Sequence, residues 1–581
     1  MAQGKAAKDG TGTSRIATTW SYVLLGFTGL AMTGFLAAGV QYLPVTFFSS
    51  QDLPVAVSLV VMLILARSMP HRLLPIRPLA RLYPRMTAIP AWLVAASVAL
   101  VALFGAFSVL GTYPLSMDEY WARADGSIFV SGRLMAEIPR QWHGFAEAMF
   151  PIFARLGADG SVAGSSYLPV NATFQGVMGP LASPLFAGGA VLCLAYLART
   201  HLPNGKSAAV PVCVILGASS AQWVVTGSTT YSMTAHLFFN LLWLCLVFIP
   251  GRARQAGGAL VAFIAMGLHQ FAFFPIFAGF FVIELFLSER RTAATVQAGA
   301  ILLAAVFWIS WPGLSMELAG GGGPASSGDA SPRLVDQIIS LVLANDPLAT
   351  LSVMGFNLVR LQLWTNPLLV PLVAVAIPIA WSEKGIFRAA MLSCLATIGF
   401  MALVMPYQGH GWGYRYLHQQ LGSMCLLAGL AWQRLHMGSS EGGKALFAAA
   451  TLVSLALVPV RYWQAIEFAQ PYARADAQIS ASEADVVVVD APSHMFAIDL
   501  VRNVPRDPSR PVRLAADALS DVQFRELCQA YSVEVFDGAD AERAGIPSFD
   551  QNTTLEDEKT RTRNDDKCAY RNISGSRHRR E

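Results

Sequence analysis

Apolar segments long enough to cross a lipid bilayer recur through most of the chain. A transmembrane helix needs about 20 apolar residues, and the sequence offers roughly thirteen such segments. They centre on 20–40, 53–67, 90–110, 180–199, 208–225, 232–249, 257–270, 272–287, 296–312, 366–381, 388–405, 417–433 and 444–460. Only 13% of the 581 residues are charged, about half the share usual in soluble domains. The sequence therefore predicts an all-α polytopic membrane protein with about 11 to 13 transmembrane helices.

Basic residues indicate how these segments cross the membrane. The linker between the second and third segments contains five arginines: Arg67, Arg72, Arg77, Arg81 and Arg85. Later basic clusters fall on the same side if the segments alternate, whereas the loop 41–52 has no Lys or Arg. The positive-inside rule then predicts that residues 1–19 form a cytoplasmic tail and that the C-terminal region lies outside. The net charge of +4 is small and gives no indication of nucleic acid binding.

The membrane domain is predicted to span 20–460, with three long outer loops at 111–179, 313–365 and 406–417. In the first loop, apolar residues recur at near-helical spacing, which predicts short amphipathic helices lying in the membrane interface. The third loop is dense in polar and aromatic groups.

The composition changes after Val460. Residues 461–548 alternate strand-like and helix-like stretches, which predicts a small α/β domain with a parallel sheet. Ser520 followed by Gln523 is typical of a capping box at a helix start. Residues 549–581 are polar and charged, and we expect them to be disordered.

Two adjacent acids, Asp118 and Glu119, follow the third apolar segment at its predicted outer end. Placing even one charge near lipid costs a few kcal/mol, so this pair indicates chemistry at the outer membrane surface. A structural alternative is that both acids stabilise the start of a loop helix through its dipole.

Together with these features, a short motif resembles a known family. The stretch Gly411-Trp412-Gly413-Tyr414-Arg415-Tyr416-Leu417 is similar to a Trp-Gly-x-Arg-Tyr/Phe-Leu stretch before a late span in bacterial GT-C glycosyltransferases. That superfamily includes protein O-mannosyltransferases and aminoarabinose transferases, and the likeness covers approximately residues 90–435 in layout. The resemblance implies a polyprenyl-phosphate sugar donor and a lipid, glycan or protein acceptor. It further implies a multi-pass protein of the bacterial inner membrane with a periplasmic C-terminal domain.

The same residues suggest a mechanism. Sugar transfer needs a base for the acceptor hydroxyl, and a carboxylate in a partly dry site is expected to have a raised pKa that suits this task. We therefore predict Asp118 as the base, with Glu119 positioning it or helping to bind a divalent cation. Arginine binds phosphate through its bidentate fork. The predicted substrate-binding residues are Arg415, Arg360, Tyr414, Tyr416, His418 and His269.

Both arginines also have interpretations without a role in substrate binding. Arg415 lies in an aromatic belt and could be a snorkelling interfacial residue, and Arg360 could be a charge on an amphipathic helix. Two other functions also fit many spans. A lipid or solute transporter would bury charges in the membrane, and the predicted spans are nearly free of charges. A surface-polysaccharide ligase or polymerase would use Arg and His residues in a late outer loop, for which His410, Arg415 and His418 are candidates.

Overall fold

The computed structural model describes residues 43–68, 75–203, 208–321, 345–503 and 511–549, with residues 26, 29, 31–34 and 342–343. Six of the described helices are long and apolar enough to cross a membrane. They are Leu43–Leu65, Ala91–Val109, Val170–His201, Arg291–Leu318, Gly385–Val404 and Glu441–Ser480. A seventh span arises if Pro347–Trp364 and Leu369–Glu383, which bend by 107° at a short break, form one element. The predicted class, a multi-pass helical membrane protein, is confirmed, whereas the described residues contain six or seven helices of spanning length and not the predicted 11 to 13.

Three further apolar helices are shorter than a full span: Ala209–Ala218, Met233–Val247 and Phe273–Leu287. At 1.5 Å per residue a 15-residue helix reaches only about 22 Å. They lie inside the bundle, where Trp243 and Phe277 are fully buried. The predicted single span 208–225 is in fact two helices, because the chain breaks at Ser219 and Ser220.

The remaining helices complete the described architecture. Their bounds are Ile76–Thr87, Met117–Val130, Ala146–Met149, Ala221–Thr226, Arg252–Met266, Leu421–Arg434, Asp521–Ala530 and Gly538–Ala544. The predicted tail 1–19, most of the predicted span 20–40 and residues 550–581 of the predicted C-terminal tail lie outside the described residues.

Arg85 and Asp118 mark the two ends of the helix bundle. The span Ala91–Val109 begins shortly after Arg85 and ends shortly before Asp118, so these two residues lie at opposite ends of the bundle. Arg388 forms an ion pair of 2.8 Å with Glu284. The orientation of the two ends relative to the membrane stays a prediction from the positive-inside rule.

The first outer loop folds into a helix, Met117–Val130, and a small antiparallel sheet. In that sheet Val162–Ser165 is the central strand, flanked by Ala136–Glu137 and Ala154–Leu156. At these three strands the loop forms a sheet where amphipathic helices were expected.

The C-terminal region is the predicted small parallel α/β domain. Its central strand Val486–Asp490 pairs in parallel with Val512–Ala515 on one side and Val533–Asp537 on the other. Ser520 and Gln523 form the predicted capping box at the start of Asp521–Ala530. The helix Glu441–Ser480 continues past the predicted boundary at residue 460, because its sequence keeps helix-forming residues beyond the apolar stretch.

The C-terminal domain and the first outer loop share one hydrophobic core. Trp121 and Ile138 of the loop pack in a cluster with Val488 and Leu514 of the parallel sheet. The apolar spacing in the loop is real, but its partner is this sheet rather than lipid. The domain is thus held directly against the segment that contains Asp118.

Candidate active site

Asp118 and Glu119 lie in the first turn of Met117–Val130, which we call the site helix. Ser116 is its N-cap, and the Ser116 hydroxyl accepts the Glu119 backbone N–H at 3.4 Å. Acids in a first turn are favoured by the positive end of the helix dipole. That effect acts on both carboxylates, yet their surroundings differ completely.

Glu119 is a structural anchor in this arrangement. Its two carboxylate oxygens accept the backbone N–H groups of Leu115 at 3.0 Å and Thr230 at 3.1 Å. Burial raises the pKa of Glu119 above its usual value, and these N–H groups and Arg123 oppose that effect. The side chain therefore ties the start of the site helix to the segment before helix Met233–Val247.

Asp118 instead faces charged and polar side chains. Its Oδ2 atom lies 2.7 Å from Nη1 of Arg415, and both side chains are about 10% exposed or less. The Tyr167 hydroxyl donates a hydrogen bond to the other carboxylate oxygen. The structure thus brings together Asp118 and Arg415, which lie 297 residues apart in the sequence.

The expectation of a raised pKa is wrong for Asp118. Burial alone would raise the pKa of its carboxyl, but the charge of Arg415 and the polar groups of His269 and Tyr167 hold it below the usual value. Asp118 is therefore ionised at neutral pH. The same pair keeps Arg415 fully protonated, because the attraction of Asp118 outweighs burial and raises the pKa of the guanidinium.

His269 joins this group through an aromatic stack. Its ring centroid lies 4.3 Å from that of Tyr167, with 30° between the planes. Its backbone oxygen accepts the Leu168 N–H at 3.1 Å, which fixes the two segments beside each other. Burial lowers the pKa of His269 to about 4, with Arg415 adding to this and Asp118 opposing it. The imidazole is therefore neutral at pH 7.

Two glutamine side chains hold the segment 406–415, which we call the arginine loop. Gln222 donates to the Tyr414 carbonyl at 2.8 Å and accepts the Tyr414 N–H at 3.2 Å. Gln408 accepts the Arg415 N–H at 2.9 Å. Gly413 has a φ of +68°, and a Cβ atom there would lie 2.5 Å from the Gln222 Oε1 atom. The loop is therefore built around a close approach that only glycine allows.

The two predicted tyrosines of this motif point in different directions. The Arg415 guanidinium lies over the ring of Tyr416 at 5.2 Å and over that of Tyr231 at 5.4 Å. Tyr414 is fully buried, and its hydroxyl contacts the sulfur of Met354 at 3.6 Å. Tyr416 is thus next to the candidate site, whereas Tyr414 acts on it through its backbone.

Arg360 does not join Asp118. It forms a buried ion pair of 3.0 Å with Asp52 and donates to the carbonyls of Gly411 and Gly413 at 3.2 and 3.1 Å. Arg461 lies 3.3 Å from the same Asp52 carboxylate. Arg360 therefore holds the arginine loop from behind. Its guanidinium is already paired with Asp52, because the helix that contains Arg360 packs into the bundle and does not lie in the membrane interface.

The predicted histidines of the late loop are also remote from free solvent. Burial lowers the pKa of His418 to about 3, and its ring nitrogens make no hydrogen bond within the described residues. His410 is packed against Phe496, with ring centroids 3.8 Å apart. Neither imidazole contacts Asp118 through a hydrogen bond.

A small cleft of about 20 Å³, partly open to solvent, lies against Asp118. The residues that line it include Asp118, Trp121, Tyr167, Asn171, Tyr231 and His269. Among the described residues, no group of three or more His, Cys, Asp or Glu is placed to hold a metal ion. The expected role of Glu119 in binding a cation does not fit, because both its oxygens face N–H groups.

Several residues at this site are absent from the sequence prediction. Tyr167, Tyr231 and Gln222 contact Asp118, Arg415 or the backbone of the arginine loop. Gln222 carried a usable signal, since a polar side chain within an apolar segment marks a helix contact or a site. Tyr167 and Tyr231 carried none.

No protein-family model matches the chain, and no curated protein matches it. Among solved structures it is similar to ArnT from Cupriavidus metallidurans bound to undecaprenyl phosphate. The identity is 11% and the TM-score 0.46, over 75% of this chain and 90% of that one. It is also similar to an Archaeoglobus fulgidus oligosaccharyltransferase tethered with an acceptor peptide. There the identity is 13% and the TM-score 0.37, over 74% and 64% of the two chains. Both are GT-C membrane glycosyltransferases, the superfamily that the sequence resembles.

Proposed function

We propose that the protein is a membrane glycosyltransferase that moves a sugar from a polyprenyl-phosphate donor to an envelope acceptor. One observation carries the proposal: an ionised aspartate, Asp118, lines a small cleft at the outer end of the helix bundle and is paired with an arginine, Arg415. A base and a phosphate-binding group are what this reaction requires from a protein.

The reaction is a single displacement. The acceptor hydroxyl oxygen attacks the anomeric carbon while the bond from that carbon to the phosphate oxygen breaks. The proton of the hydroxyl passes to Asp118. The electron pair leaves with the polyprenyl phosphate, whose negative charge Arg415 stabilises. Because attack and departure occur on opposite faces, the anomeric configuration is inverted.

The ion pair explains how a carboxylate with a lowered pKa can still act as a base. A phosphate bound to Arg415 competes with Asp118 for the guanidinium and adds a second negative charge nearby. Burial then dominates and raises the pKa of Asp118 towards the range useful for proton transfer. Donor binding would thus activate the base.

The neighbours of the pair have supporting roles. Tyr167 orients the Asp118 carboxylate, and neutral His269 stacks on Tyr167 and so fixes that ring. Tyr416 and Tyr231 provide aromatic surface around Arg415. We place this site at the outer face of the bacterial inner membrane, with a lipid, glycan or protein as acceptor.

A transporter is the second candidate, and one observation favours it. Asp52, Arg360 and Arg461 are charged and buried within the helix bundle, contrary to the expectation of spans nearly free of charges. Both arginines contact the single carboxylate of Asp52, and further donors and acceptors surround it. Such a densely bonded cluster is suited to holding helices together.

A comparison of envelope lipids and glycans by mass spectrometry tests the proposal. The host with the gene should contain a sugar-sized mass increment that a deletion strain lacks. Purified protein in detergent, mixed with a lipid extract of the deletion strain, should restore the increment. Because micelles have no second compartment, a transporter cannot produce this result, and failure of the restoration would exclude transferase activity on these lipids.

A further inference from the structure

One short segment of the C-terminal domain, Asp499–Asn503, touches the start of the site helix, and we call it the clamp. Arg502 donates to the Leu115 carbonyl at 2.9 Å. The Tyr120 hydroxyl donates to the Asn503 carbonyl. These contacts lie on either side of Asp118 in the sequence, so the clamp grips the turn that contains the candidate base.

A third contact reaches the residue next to Asp118. The Asp499 carboxyl is buried and interacts with the Met117 backbone N–H. That N–H is one of the donors that a helix leaves unpaired at its start. Asp499 therefore caps the site helix from the C-terminal domain, whereas Ser116 caps it from the position directly before the helix.

The clamp is held both by its own domain and by the first outer loop, to which Met149 belongs. Arg502 Nε donates to the Asp499 carbonyl at 2.6 Å, which closes the segment on itself. Asn503 donates to the carbonyls of Met149 at 2.9 Å and Arg513 at 2.7 Å, and accepts the Arg513 N–H at 2.8 Å. A movement of the parallel sheet would thus be transmitted to the site helix.

From these contacts we infer that the C-terminal domain positions the base, with Asp499 and Arg502 as positioning residues that set Asp118 against Arg415. The inference rests on the proposed function. Polar contacts of this kind fix one geometry more strictly than apolar packing does. A shift of about 1 Å at a reacting group lowers a rate by about 100-fold, so losing the clamp should impair turnover more than folding.

The charges around Asp499 provide a specific readout. The groups that interact with its carboxyl are Arg502, Asp118, Tyr113 and Tyr472. Burial, opposed by Arg502 and reinforced by Asp118, raises the pKa of Asp499 to about 7. Its ionisation near neutral pH places a second negative charge near Asp118. The pH profile of turnover should therefore contain an inflection near pH 7 that Asp499→Asn removes.

The test compares Arg502→Gln and Arg502→Lys with a matched control, Arg474→Gln, in the full-length membrane protein. Arg474 also donates to a backbone carbonyl at 2.9 Å, that of Ala544, away from the site helix. We expect Arg502→Gln to lower turnover by about 100-fold and Arg502→Lys to recover most of it. The affinity for undecaprenyl phosphate should stay within about twofold, and Arg474→Gln should match the wild type in both measurements.

Hydrogen–deuterium exchange of the site helix gives an outcome independent of the reaction. Arg502→Gln should speed exchange in its first turn by about tenfold, as expected for a lost hydrogen bond to a charged group. Unchanged exchange, or turnover within twofold of wild type, would overturn the inference. If the wild type shows no sugar transfer, the proposed function is refuted. If Arg502→Gln nevertheless exchanges faster in the site helix, the structural role of the clamp still stands.

Discussion

Replacing Asp118 by Asn should make the protein bind undecaprenyl phosphate more tightly while it loses transfer activity. In the structure the Asp118 carboxylate lies 2.7 Å from Nη1 of Arg415. A phosphate on the same guanidinium would lie about 5 Å from that carboxylate, where two like charges repel by about 3 kcal/mol at an effective dielectric constant of 20. Allowing for solvent access, a gain of about 1.4 to 3 kcal/mol corresponds to roughly 10- to 150-fold in affinity.

The assay is titration of undecaprenyl phosphate into nanodisc-embedded protein, followed by the fluorescence of tryptophan, since Trp121 lines the cleft. Glu284→Gln is the matched control, because Glu284 forms an equally close pair with Arg388 at the other end of the bundle. Eleven residues, or about 16 Å of helix, separate Glu284 from Phe273, whose ring lies 6.0 Å from that of His269. The affinity of Glu284→Gln for undecaprenyl phosphate should therefore be unchanged. Equal or weaker binding by Asp118→Asn would show that the phosphate does not reach Arg415.

Three further predictions concern the surroundings of the pair. Tyr167→Phe removes a hydrogen bond that favours ionised Asp118, so the acid limb of the activity profile should move to higher pH. The folded pKa of Asp118 is lowered, so this pair stabilises the fold above about pH 4. That stability is lost on further acidification, and in Tyr167→Phe the loss should begin at higher pH in thermal unfolding. Gly413→Ala should destabilise the protein by about 1–3 kcal/mol, because the φ of Gly413 is +68° and the added Cβ atom would clash with the Gln222 side chain. Gly399→Ala, where the added Cβ atom meets open space, should leave the stability unchanged. Asp52→Asn leaves the buried guanidinium groups of Arg360 and Arg461 without a counter-charge and should cost about 3–5 kcal/mol of unfolding free energy. Arg360→Gln leaves a balanced pair and should cost less, so the reverse order would contradict this account of the cluster.

The sequence predicted those features that depend on local pattern. Apolar length gave the membrane class, and alternation of short strands and helices gave the C-terminal α/β domain. The spacing of Ser520 and Gln523 gave the capping box. The predictions for Asp118 and Arg415 came from their positions in two outer loops, which the fold brings into contact. Their catalytic roles stay predictions.

Features that depend on long-range packing were not predictable. Hydrophobic spacing in the first outer loop shows that one face is buried, but it does not show whether lipid or protein covers that face. Arg360 appeared available because nothing nearby in the sequence neutralises it, whereas its partner Asp52 is 308 residues away. The lowered pKa of Asp118 has the same origin, since it comes from a guanidinium on another loop.

The most direct measurement of the central claim is the sugar-sized mass increment in hosts that express wild type, Asp118→Asn or Glu119→Gln, with membrane insertion of each protein quantified. Because Asp118 is the proposed base and Glu119 only an anchor, Asp118→Asn should abolish the increment while the protein is inserted normally. Glu119→Gln should reduce the increment only as far as it reduces the amount of folded protein. An increment that persists with Asp118→Asn would contradict the assignment of the base and with it the proposed mechanism.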